Sequence, residues 1–218
     1  LQDRQEFHQP PKTRYERVVL GDFLGYVSPS AKSRPQILSD TLELLKFRLR
    51  QVKQELPPAD YRRLTGVEFW IETNDPKTPA AVYHPSADWL KANGDNPQMA
   101  RNIEIGNMVN FLKWQHIQPS MVLHELSHAF QFKYLGADYE PIDSAYKHAL
   151  ATHLYESVPF VTGGRRRAYA LTNRYEYFAE CSEAYFGRND FYPFLRYELK
   201  SYDPVGYTAV EMAWGISK

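Results

Sequence analysis

Apolar residues recur at alternating steps of four and three from Leu38 through Leu42, Leu45, Leu49 and Val52 to Leu56, which predicts one long amphipathic helix over 35–56. Ser33 with Gln36 three residues on reads as its capping box. Pro57-Pro58 ends it, because a proline ring cannot continue the backbone hydrogen bonding of a helix. This stripe is a packing face. Short runs rich in β-branched and aromatic residues predict strands at 17–20, 67–71 and 80–83, with a turn across 21–29 after the first. At 102–106, Asn-Ile-Glu-Ile-Gly alternates polar and apolar side chains, the period of a half-exposed strand. A helical turn over 86–91, a loop over 93–97 and a short helix over 108–114 complete the first half.

The second half reads as helical. Pro119-Ser120 is a start signal, with Ser120 as the N-cap, and Gly136 a stop. A further helix is expected over 144–155. Another opens at Asn173, with Glu176 three residues later, and closes at Gly187. The fold class that follows is α+β: a small twisted sheet with a backing helix, then a mainly helical lower lobe, with an active-site cleft between them. Residues 1–13, polar and Pro-containing, are expected as a flexible or surface-hugging arm. Residues 14–218 form one domain, its upper lobe over 14–118 and its helical lobe over 119–218.

The chemistry concentrates in His124-Glu125-Leu126-Ser127-His128. On a helix, positions i and i+4 lie one turn apart on one face, so both imidazoles can reach one metal ion. Glu125 then sits beside the metal, where it can take a proton from water as a general base. A catalytic zinc needs a third protein ligand and keeps one position open. No third histidine continues the motif, which leaves Glu140, Asp143, His148, His153, Glu176, Glu180 and Glu183 downstream. His148 and His153, five apart, fall on different helix faces, and Glu140 and Asp143 lie in a Pro-containing loop. Glu176, Glu180 and Glu183 share one face of the helix over 173–187, among aromatic and small residues that argue for burial. Three stacked acids repel one another, and a bound divalent cation removes that conflict.

His124-Glu125-x-x-His128, followed by Glu176-Tyr177-Phe178-Ala179-Glu180, resembles the gluzincin metallopeptidases, in particular the catalytic domains of anthrax lethal factor and the Pro-Pro endopeptidases. The likeness covers roughly the last hundred residues. It implies a zincin-like fold and one zinc ion held by His124, His128 and Glu176. It also implies that Glu180 supports a zinc-bound histidine from behind, and that Tyr169, seven residues before Glu176, assists catalysis. In that family an edge strand precedes the zinc helix, which makes 102–106 either the place where an extended peptide or protein substrate adds as a strand or an ordinary edge strand without a ligand. The expected function is hydrolysis of peptide bonds by a metal-activated water. The alternatives are a zinc-containing recognition module that no longer cleaves, and a zinc amidase acting on a non-peptide substrate.

Composition narrows the partners. Lys plus Arg and Asp plus Glu number 26 each, which gives no basic surface for nucleic acid or an anionic membrane. Arg165-Arg166-Arg167, the one basic run, is expected in a solvated loop. No stretch of about 18 apolar residues is present, so no membrane span is expected. The lone cysteine, Cys181, excludes an intrachain disulfide and reads as a core residue. His84 reads as a hydrogen-bonded turn residue. The chain starts at Leu1 without a signal peptide, which is compatible with a trimmed form, including secretion after signal-peptide removal.

Overall fold

The computed structural model describes residues 7–216. Two compact units emerge: residues up to 49 with 65–113, and residues 50–64 with 114 onward. Against the expected division at 118, the end of the long helix and the segment after it thus join the helical unit.

The first unit holds a mixed five-stranded sheet in an α+β arrangement. Glu16–Leu20 (β1) and Phe23–Val27 (β2) pair as an antiparallel hairpin. Gly21 turns it at φ 69°, a conformation that side chains with a Cβ rarely adopt. The turn expected over 21–29 is therefore corrected. Only two residues turn, and Phe23, Gly25 and Val27 alternate inward as a strand, with a glycine at 25 hiding the β signal. Pro29–Lys32 (α1) is capped by Ser28, which accepts from Ala31 N (3.1 Å). Ser33 closes that short helix by donating to Ser30 O (2.6 Å), so it does not open the next one as expected. Pro35–Glu55 (α2) matches the predicted helix. Its buried stripe runs through Thr41, Leu45, Leu49 and Val52, and the Thr41 hydroxyl is satisfied by Ile37 O.

After Pro58–Leu64 (α3) come Glu68–Ile71 (β3), Ala81–Tyr83 (β4), Ala87–Ala92 (α4), Ile103–Ile105 (β5) and Met108–Lys113 (α5). The sheet order is β1-β2-β3-β5-β4, with β2, β3 and β5 parallel and the two outer pairs antiparallel. This corrects the expectation for 102–106. β5 lies inside the sheet, all three of its residues are buried, and β4 covers the side expected to be open. The alternation misleads because Glu104 is a buried acid: His84 Nε2 lies 2.8 Å from its Oε2 and Thr78 Oγ1 donates to the same oxygen (3.2 Å). His84 is thus hydrogen-bonded, as expected. Tyr15, Trp70, Leu90 and Met99 form a core cluster here, with Tyr15 edge-on to Trp70 at 4.8 Å. Of the expected arm, residues 1–6 lie outside the described residues. From residue 7 the chain is packed, with Gln9 buried, donating to Asp75 (2.6 Å) and accepting from Asn96 N (2.8 Å).

The second unit is built from helices. Met121–Phe130 (α6) runs into a π-helical turn, Gln131–Leu135, and stops at Gly136. Glu140–Ala151 (α7) starts a turn earlier than expected. A two-residue hairpin, Val158–Pro159 (β6) with Arg165–Arg166 (β7), carries the exposed arginines. Arg174–Phe186 (α8), Arg196–Tyr202 (α9) and Pro204–Ala213 (α10) follow. Trp214, fully buried, stacks on Phe130 of α6 at 4.1 Å and faces Phe178 of α8 at 5.9 Å, while its indole N–H donates to Ser182 (3.0 Å). Among the described residues no helix is long and apolar enough to cross a membrane.

Candidate metal centre

Two helices of the second unit supply the site. α6 carries His124 and His128 at adjacent turns, and α8 carries Glu176 in its first turn. Asn173 fixes that first turn by accepting from Tyr175 N (2.8 Å) and Glu176 N (3.0 Å), as its sequence position predicts. The helices meet closely where α8 ends and α6 begins. A Cβ on Gly187 would stand 2.6 Å from Ser120 Oγ, so any larger residue there would displace the Ser120 side chain. Ser120 Oγ accepts from Arg188 N (2.9 Å) and makes no cap bond to α6, which corrects its expected role.

His124 Nε2, His128 Nε2 and Glu176 Oε2 form a triangle with sides of 3.1, 3.0 and 3.3 Å. Tetrahedral coordination with bonds of roughly 2.0–2.1 Å needs donor atoms about 3.3–3.4 Å apart. The three side chains therefore fit one small divalent ion with little movement. Two imidazole nitrogens and one carboxylate oxygen are also a suitable donor set. Of the expected third-ligand candidates, Glu176 is the one in this triangle. Asp143 is engaged with Arg174 and Lys147, and Glu140 with Ser144. A second cluster of possible donors is His124 with Glu180 and Glu183, and His148 and His153 join neither cluster among the described residues. Tyr169 stands nearby, half-exposed, with its hydroxyl 3.5 Å from Glu176 Oε1. Glu125 is buried on α6, between the two histidines.

Behind His124 the resemblance-based assignment is corrected. His124 Nδ1–H donates to Glu183 Oε1 at 2.7 Å, whereas Glu180 accepts from Asn189 Nδ2 at 3.2 Å. Helix azimuth explains the exchange. Seven residues bring Glu183 back to within about 20° of the meridian of Glu176, while four leave Glu180 about 40° off on the other side. Sequence reasoning also missed Asp190 and Gln118, whose amide donates to Asp190 Oδ2 (3.1 Å). No signal in the sequence linked them to the motif.

The acids of this face differ in charge. Burial opposes ionisation of Glu176, but hydrogen bonds and charge from His124 and His128 outweigh it and hold its carboxyl far below the usual range. Burial likewise opposes a charge on His124, yet hydrogen bonds to Glu176 and Glu183 raise its pKa well above 6.5. Glu183 is pushed up to about 7 by burial in spite of His124. Burial, Glu183 and Asp190 drive Glu180 well above the ordinary value. Burial and Glu176 also raise the Tyr169 phenol.

No protein-family model, curated protein or solved structure matches this chain.

Proposed function

We propose that this chain is a zinc-dependent peptidase of zincin-like fold, with His124, His128 and Glu176 as the metal ligands. The observation that carries this reading is the convergence of those three donor atoms within 3.3 Å of one another, on the helix that also bears Glu125. Two imidazoles and one carboxylate leave a fourth position free, the arrangement of catalytic and not of structural zinc sites. Zinc held there would lower the pKa of a coordinated water towards about 7 and polarise the scissile carbonyl. Glu125 takes the proton from the attacking water and delivers it to the leaving amine. Tyr169, kept protonated by its raised pKa, donates to the oxygen on which negative charge develops. Glu183 accepts from His124 Nδ1 and so leaves its Nε2 lone pair for the metal.

The test joins metal analysis to peptide cleavage. Wild type is expected to bind one zinc per chain, to cleave members of a complex peptide mixture and to stop when the metal is chelated. Glu125→Gln is expected to keep zinc and lose about 10²–10⁴-fold in turnover. Undiminished cleavage by that variant refutes the assignment of Glu125. Zinc binding with hydrolysis of small amides alone moves the function to an amidase, and zinc binding with no hydrolysis at all to a recognition module.

A further inference from the structure

Three polar atoms on the metal-binding helix and its extension are buried and have no hydrogen-bonding partner: His128 Nδ1 and both carboxamide atoms of Gln131. Gln131 is fully buried and opens the π-helical turn that prolongs α6. At 100° per residue it lies about 60° round the helix from His128 and about 20° from His124, on the ligand face. Helical side chains lean towards the N-terminus, which carries the carboxamide back over the turn that holds His128. Buried amides and imidazoles are nearly always paired, so two unpaired groups three residues apart on one face are candidates to satisfy each other. The direction of the ring adds a second argument. His128 turns Nε2 into the ligand triangle, so a neutral, metal-binding imidazole must carry its proton on Nδ1. That proton needs an acceptor.

We propose that Gln131 is the positioning residue of His128, a role that rests on the zinc reading above. Its Oε1 accepts the Nδ1–H, after rotation of the side chain or through one intervening water, and fixes the tautomer and direction of the ring. The two histidines are then held differently, His124 by the carboxyl of Glu183 and His128 by a neutral amide. A neutral partner orients the ring without adding another negative charge beside Glu176 and Glu125, charge that would weaken the acidity of a metal-coordinated water.

The test uses the full chain with Gln131→Met, which removes both amide atoms at nearly constant volume, and Gln131→Glu, which keeps an acceptor. Zinc affinity is read by competition with a chelating dye. The His128 ring is read by long-range ¹H–¹⁵N correlation on the zinc-loaded protein. Gln131→Met is expected to melt no lower than wild type without metal, yet to bind zinc 10–100-fold more weakly, on the order known for outer-shell partners. Gln131→Glu is expected to recover most of the affinity. Wild type should show a His128 Nδ1–H protected from exchange. Full affinity in folded Gln131→Met overturns the assignment. If that variant fails to fold, a freely exchanging Nδ1–H in wild type, or ligation through Nδ1, overturns it instead. Wild type that binds no zinc is a separate result, because it removes the zinc reading itself.

Discussion

Exchanging Glu183 or Glu180 decides which acid steadies His124, the first of the proposed metal ligands. The His124–Glu183 bond is 2.7 Å long, with side-chain exposures of 12% and 5%, so solvent screens it little. A hydrogen bond to a charged group contributes about 1.5–3 kcal/mol in such surroundings. Removing the partner that orients a metal-binding histidine costs roughly 10–100-fold in affinity, which is about 1.4–2.7 kcal/mol. The two scales agree. Glu183→Gln keeps an acceptor but loses the charge, so it belongs at the low end, about 10-fold; Glu183→Ala belongs near 100-fold. Glu180 accepts from Asn189, and its carboxyl favours the neutral form. A glutamine there replaces like with like, and zinc affinity should stay within about 3-fold. Chelator competition at one fixed pH, with melting curves as the folding control, measures all three. Weaker zinc binding in Glu180→Gln than in Glu183→Ala would refute the reasoning and restore the assignment implied by the family likeness.

The metal-free protein should lose stability as pH rises through neutrality. The raised pKa of His124 stabilises fully below pH 6.5 and its contribution is lost above the folded value, while Glu183, pushed up to about 7, adds a penalty that grows from pH 4.5 to about 7. Melting temperatures with chelator should therefore fall between pH 6 and 8.5, whereas the gain from added zinc should widen, because the ion displaces the His124 proton. Trp214→Ala removes a fully buried indole stacked on Phe130 and leaves Ser182 without its donor, so calorimetry should show a loss of about 3–5 kcal/mol. A loss under about 1.5 kcal/mol would mean that α6 and α8 do not depend on it. Tyr169→Phe should leave zinc content and melting nearly unchanged, since the ring is half-exposed, and lower the turnover number by about 10-fold or more in steady-state peptide assays.

What the sequence revealed depended on how local the cause was. The α2 stripe and the His124–His128 spacing are set within one or two turns, and both were legible. So was α8, because Asn173 and Gly187 bracket it within 15 residues. The identity of the acid behind His124 was not legible, because it depends on the azimuth of α8 against α6. β2 was hidden by Gly25, and the central place of β5 by Glu104, whose partner His84 lies 20 residues away. No element was foreseen over 196–213, although Asp203 there joins three parts of the helical unit. It accepts from Tyr155 (2.9 Å), Tyr177 (2.6 Å) and Gly206 N (2.8 Å). An aspartate between two helices reads as a cap from sequence alone; two distant tyrosine hydroxyls cannot be read there.

The three acids on the face of α8 are held in different charge states. Were Glu176, Glu180 and Glu183 all ionised beside Asp190, the repulsion in a buried site would exceed the few tenths of a kcal/mol per pair typical of an exposed helix. Instead Glu176, which meets both imidazoles, is held ionised, while Glu180 beside Asn189 is driven towards the neutral form and Glu183, bonded to His124, is pushed up to about 7. Environments that push neighbouring carboxyls apart in this way divide their roles. A divalent ion at the triangle thus meets one carboxylate directly and a second only through His124. Full ionisation of the face would cancel the charge of the ion and with it the acidity that a hydrolytic site needs, and the burial of Glu180 beside Asp190 opposes that outcome.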